Sequence, residues 1–172
     1  PAVIVGGLLS DFFAQDSVRS TWVVAAMLFI VGVLMIIPWK IETSPDKPES
    51  LYRVPKPEAL YIGLAQALAL IPGTSRSGIT ILAGRLNKLT YNRAAEYSFL
   101  LAIPILTGAI LRTLLDSDGQ QFLSDNLGPI LVGNLVAFVA GMIAIRFVMQ
   151  FLSRTGLWVF GYYRIVLAGI LL

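Results

Sequence analysis

Residues 72–78 read Pro-Gly-Thr-Ser-Arg-Ser-Gly and concentrate the side chains best able to do chemistry. Arg76 supplies a planar guanidinium fork that matches two oxygens of a phosphate. Thr74, Ser75, Ser77 and Thr80 surround it with hydroxyls. Gly73 and Gly78 permit positive φ and let a ligand approach the backbone. Pro72 lacks an N–H and interrupts a helix. A new helix is therefore expected near Ser77 or Gly78, with unpaired N–H groups and its positive dipole end at the loop. Such a terminus binds phosphate. These groups suit a doubly charged oxyanion and offer a cation nothing. Ser75 could attack as a nucleophile or only position a phosphate oxygen, and no base lies close to it in sequence. The simpler alternative is a surface turn in which Arg76 snorkels and the serines cap a helix. Cys and His are both absent, which excludes disulfides, thiolate chemistry and any imidazole base or metal ligand.

The elements holding this loop are apolar. Hydrophobic residues make up 56% of the 172 and charged residues 13%, against about 25% charged in soluble domains. Mean hydropathy is +0.78. A polytopic membrane protein forming a single domain over residues 1–172 is expected. The net charge of +3 comes without a basic block interleaved with aromatics, so no nucleic-acid partner is expected. Residues 21–39 form a span with Trp22 and Trp39 at the aromatic-belt positions. Residues 94–115, with Pro104 inside, 127–152 and 157–172 form the others, and 116–126 reads as a polar loop. Gly133, Gly141, Gly161 and Gly169 are expected to give close-packing helix faces. Residues 1–13 are apolar but short and start with neither Met nor a charged n-region, unlike a signal peptide. They resemble a helix entered midway, so further sequence is expected upstream.

The loop's own flanks, residues 59–71 and 79–86, are too short to span a bilayer core, which takes about 20 apolar residues. A re-entrant hairpin over residues 59–89 resolves this. It gathers Lys40, Lys47, Arg53, Lys56, Arg85, Lys88, Arg93, Arg146 and Arg154 on one side. Asp11, Asp16, Asp116, Asp118 and Asp125 fall on the other, with Arg19 and Arg112. A single crossing through Arg76 would scatter the basic residues; a full double crossing would give the same distribution as re-entry, and only the short lengths argue against it. The positive-inside rule makes the basic side cytoplasmic, so the Pro-rich stretch 40–58, with Pro45, Pro48, Pro55 and Pro57, is a cytoplasmic loop and the C-terminus lies outside. The expected fold class is an all-α polytopic membrane protein with one re-entrant helix-loop-helix. An ionisable side chain inside the membrane costs about 2.5–3.5 kcal/mol on insertion scales and usually has a functional partner. Gln66 is a candidate to line the site. Glu96 either pairs with Arg93 or Lys88 or braces Arg76. Arg164, beside Tyr162 and Tyr163, either pairs with a buried carboxylate or backbone carbonyls or makes a second phosphate contact. Arg112 and Arg146 lie near helix ends, where they would snorkel.

The segments Leu-Ile-Pro-Gly-Thr-Ser-Arg-Ser-Gly-Ile-Thr-Ile-Leu-Ala-Gly-Arg-Leu and Ala-Ala-Glu-Tyr-Ser-Phe-Leu-Leu-Ala-Ile-Pro closely resemble the undecaprenyl-diphosphate phosphatase family, the bacitracin-resistance type of bacterial membrane enzyme. The specific pattern is Pro72, Gly73, Ser75, Arg76, Ser77, Gly78 and Thr80; Glu96, Ser98, Phe99, Pro104, Tyr163 and Arg164 also fit. The resemblance covers essentially the whole chain. It implies removal of the terminal phosphate of undecaprenyl diphosphate, giving undecaprenyl phosphate for reuse as a lipid carrier in peptidoglycan synthesis, and with it bacitracin resistance. It implies a multi-pass protein of the bacterial plasma (inner) membrane, built from two inverted repeats with a site opening to the outer, periplasmic face. Substrate binding then falls to Gly73, Thr74, Ser77, Gly78 and Thr80, catalysis to Arg76 and Ser75, and support to Gln66, Glu96 and Arg164. The family carries a first-half motif with two Glu, a Pro-x-Ser-Ser loop and a His, and this chain has none of it; Ala65 and Ala69 stand where the mirrored Glu pair would be. The chain thus resembles the second half. A divalent cation, Mg2+ or Ca2+, would take its ligands from the first half, none from this chain, and the chain alone would be inactive. Assembly as a homodimer is compatible with the resemblance. The competing functions are a transporter or flippase of a phosphorylated lipid, which would use the same anion site without hydrolysis, and a non-catalytic fragment.

Overall fold

The computed structural model describes residues 1–9, 12–13, 15–37 and 54–172. The expectations for Asp11, Trp39, Lys40, Lys47 and Arg53, and for most of the 40–58 loop, lie outside the described residues. Among the described residues every regular element is helical: α1 (Ala2–Leu8), α2 (Thr21–Ile36), α3 (Lys56–Ala65), a 3₁₀ turn (Gln66–Leu70), α4 (Arg76–Leu86), α5 (Tyr91–Leu115), α6 (Ser117–Asp125), α7 (Leu127–Thr155) and α8 (Trp158–Leu171).

Lengths separate these helices by what they can cross. α5 and α7, with 25 and 29 residues, are the two described helices long and apolar enough to span a membrane. α2 and α8 are apolar but shorter, at 16 and 14 residues. α3 and α4 have 10 and 11 residues, or about 15 Å each at 1.5 Å per residue. That is half of a core about 30 Å thick. They pack against each other, joined by the 3₁₀ turn and the loop.

Local chemistry explains the ends. Pro57 sits in the first turn of α3, where a missing N–H costs nothing, and Glu58 follows it at the positive dipole end. Thr90 caps α5 by accepting from the Arg93 N–H at 3.3 Å, so this helix starts at Tyr91, three residues before the expected span. Arg85, 8% exposed, closes α4 by donating to the Leu89 carbonyl at 2.6 Å, with its guanidinium 4.4 Å from the centre of the Tyr91 ring. The stretch expected as a polar loop, 116–126, contains helix α6 instead. Asp116 at its N-cap position and Asp118 in its first turn complement the dipole, which favours a helix despite the polarity.

α2 and α8 form the most extensive helix pair. Gly32 and Gly161 make the approach: a Cβ on Gly161 would stand 2.6 Å from the Gly32 carbonyl oxygen. Small residues let backbones meet in this way. Gly133, Gly141 and Gly169 have nothing within 4 Å of a Cβ position, so of the four expected packing glycines only Gly161 packs. The core gathers Val31 and Met35 of α2, Ile81 and Leu82 of α4, Ala94 and Ala95 of α5, and Leu152 of α7.

Candidate functional site

The loop between the 3₁₀ turn and α4 is gripped from both sides. Gly73 has φ +87°, and a Cβ there would lie 2.5 Å from the Val24 carbonyl oxygen of α2. Its own carbonyl accepts a hydrogen bond from Arg164 of α8. Ser75 also has positive φ, at +65°, a conformation that costs a non-glycine residue about 1–3 kcal/mol. Its hydroxyl accepts from the Gly78 N–H at 3.2 Å. Ser75 is therefore the N-cap, and α4 begins at Arg76, one or two residues before the expected start. As an acceptor from Gly78, Ser75 keeps its own O–H hydrogen free to donate.

Thr80 turns away from the loop's open sides. It is buried, its hydroxyl lies 2.8 Å from the Arg76 carbonyl, and Ser98 of α5 is 2.7 Å away. With one hydrogen each, Thr80 donates to Arg76 and Ser98 donates to Thr80. The pair ties the start of α4 to α5, so Thr80 supports the loop. Thr74 is 1% exposed, and its hydroxyl has no hydrogen-bond partner.

The remaining motif residues divide between two cavities. One, of about 250 Å³, is lined by Arg76 with Gln66, Ala69, Leu70 and part of α1. Among the described residues the Arg76 guanidinium has no hydrogen bond or ion pair. Gln66 is 6% exposed, and its Oε1 is without a partner. The other cavity, of about 230 Å³, is lined by Ser75, Ser77, Gly78, Tyr163 and Arg164 together with apolar side chains. Glu96 makes a 2.9 Å ion pair with Arg93, and both side chains are over a third exposed. The structure thus brings Gln66 to Arg76 and Arg164 to the serines, and gives Glu96 to Arg93.

Of the apolar wall of the second cavity, the sequence marks only Phe99, through the family resemblance; Met35, Val148 and Phe160 come from α2, α7 and α8 and share no local motif. Among the described residues no three Asp or Glu side chains converge, and none lines either cavity. The residues around the loop do not fit a divalent cation by themselves. Arg76 in one cavity, and the hydroxyls with the helix N-terminus in the other, each suit a phosphate oxygen.

The family described as bacitracin resistance protein BacA matches residues 1–170. An undecaprenyl-diphosphatase of Porphyromonas gingivalis (strain ATCC BAA-308 / W83) is 42% identical over 176 residues, covering 100% of this chain and 61% of the relative. One from Flavobacterium johnsoniae is 39% identical over 177 residues, covering 100% and 65%. One from Acinetobacter baumannii (strain AYE) is 40% identical over 172 residues, covering 100% and 62%. The chain therefore spans less than two thirds of the length of these relatives.

Proposed function

On the premise that the chain belongs to the bacitracin resistance protein BacA family, we propose that it serves in hydrolysis of undecaprenyl diphosphate. Water adds to the terminal phosphorus, the P–O bond of the anhydride bridge breaks, and inorganic phosphate leaves alongside undecaprenyl phosphate. That product is the lipid carrier returned to peptidoglycan synthesis, which connects the reaction to bacitracin resistance. The observation carrying this reading is the Arg76 guanidinium at the N-terminus of α4, which among the described residues has no hydrogen bond or ion pair. Phosphoryl transfer depends mainly on positioning and charge neutralisation. Arg76 holds the diphosphate and stabilises the charge that develops on it. In the second cavity Ser75 donates its free O–H to a phosphate oxygen, Ser77 adds a second hydroxyl, and Gly78 opens the backbone to the ligand. The divalent cation implied by the family resemblance has no carboxylate set among the described residues, so its ligands are proposed to lie elsewhere and no step here runs through it. In detergent, the full-length protein is expected to release inorganic phosphate from undecaprenyl diphosphate. Binding without release would favour a lipid transporter.

The short α3 and α4 support a re-entrant hairpin, the second half of an inverted repeat, with residues 59–89 entering and leaving on the cytoplasmic side and the site opening outward. The chain has no Cys, so single cysteines report topology directly. Lys56→Cys and Lys88→Cys are expected to resist a membrane-impermeant maleimide in intact cells, while Asp118→Cys is labelled. Labelling of only one of the two lysine positions would mean a single crossing through Arg76.

A further inference from the structure

The cavity opposite Arg76 has its own cation. Arg164 is 8% exposed, donates to the Gly73 carbonyl through one terminal nitrogen, and leaves its Nε without a partner. Burying a guanidinium is costly unless it is well compensated, and one carbonyl does not neutralise a full charge. No carboxylate among the described residues lines this cavity; its other polar side chains are Ser75, Ser77 and Tyr163. The first turn of α4, an 11-residue helix, adds a positive dipole end. Away from these groups the walls are hydrocarbon, with Phe99, Val148 and Phe160 prominent. The space thus combines an anion-seeking set of groups with apolar walls.

We propose that this cavity binds the phosphate–prenyl junction of the lipid, with the phosphate against Arg164, Ser75 and Ser77 and the first isoprene units against Phe99, Val148 and Phe160. The proposal rests on the hydrolysis reading and deepens it by naming what makes a prenyl diphosphate preferred over a bare one. At about 230 Å³ the cavity falls below the 300–1,000 Å³ of pockets that enclose drug-sized ligands. It admits the start of the chain and leaves the rest in the bilayer.

Equilibrium binding to the full-length protein in detergent tests this without requiring turnover, with farnesyl diphosphate and inorganic pyrophosphate as probes. Val148 is half-buried on the cavity wall, so Val148→Phe fills apolar space. It is expected to raise the Kd for farnesyl diphosphate about tenfold while the Kd for pyrophosphate stays within twofold. Arg164→Gln is expected to weaken both probes, and Arg164→Lys to restore part of each. Unchanged farnesyl affinity in Val148→Phe would overturn the proposal, as would an equal loss for both probes. If Arg164→Gln does not fold, Val148→Phe still decides. The predicted binding pattern without phosphate release would sink hydrolysis alone; release with farnesyl affinity unchanged in Val148→Phe would sink this junction site alone.

Discussion

Replacing Arg76 with alanine is expected to lower phosphate release from undecaprenyl diphosphate by about 10³-fold in the full-length protein. Loss of one preorganised donor to developing negative charge costs about 10²–10³ in rate, and loss of an arginine from a phosphoryl-transfer site about 10³–10⁵. Among the described residues the Arg76 side chain makes no hydrogen bond or ion pair, so its removal breaks no structural tie. It occupies the first position of α4, after the Ser75 cap, where alanine is a good helix former. The melting temperature in detergent should therefore hold while the rate collapses. Arg76→Lys keeps the charge but loses the bidentate fork, and about a tenfold recovery over alanine is expected. A rate within tenfold of wild type for Arg76→Ala would remove Arg76 from the site.

The loop was legible in the sequence because its signals are local. Pro72 stops a helix, Gly73 takes positive φ, and Ser75 to Gly78 open the next helix. The start of α4 was misplaced by one or two residues because Ser75 adopts a left-handed conformation that its residue type does not advertise. The orientation of the motif was less legible. Adjacent helical positions diverge by about 100°, so residues contiguous in sequence point in different directions, and Arg76 lines a different cavity from Ser75 and Ser77. Ala69, noted as the counterpart of a missing carboxylate, lines the Arg76 cavity. The partners completing each cavity depend on helix packing. Arg164 stands 91 positions from Gly73, and Phe99, Val148 and Phe160 have the composition of any lipid-facing surface. Gly161 and Gly133 likewise read alike in apolar runs, yet only Gly161 meets another backbone. Glu96 had its ion-pair partner within reach at i−3, and local geometry delivered it to Arg93.

Gly73→Ala is expected to damage both stability and activity, for a reason that joins the two helices around the loop. At φ +87° an alanine pays about 1–2 kcal/mol for left-handed backbone. Its Cβ would also stand 2.5 Å from the Val24 carbonyl oxygen and 3.0 Å from the Val24 Cα. Both are backbone atoms of α2 and cannot rotate away. Relief requires the loop to lift from α2, and the Gly73 carbonyl then leaves Arg164. Because α2 is itself packed on α8, which carries Arg164, neither support can follow the loop. A destabilisation of about 2 kcal/mol or more is expected in thermal melts, with phosphate release falling at temperatures where the variant remains folded. Gly133→Ala is the matched control: its Cβ would meet nothing within 4 Å, and changes away from packed features stay within about 0.5 kcal/mol. Equal melting temperatures for the two variants would mean that the loop is not seated on Val24. Loss of rate in Gly73→Ala without loss of stability would instead locate the cost in the carbonyl–Arg164 contact, since that contact can be broken while α2 and α8 stay joined through Gly32 and Gly161.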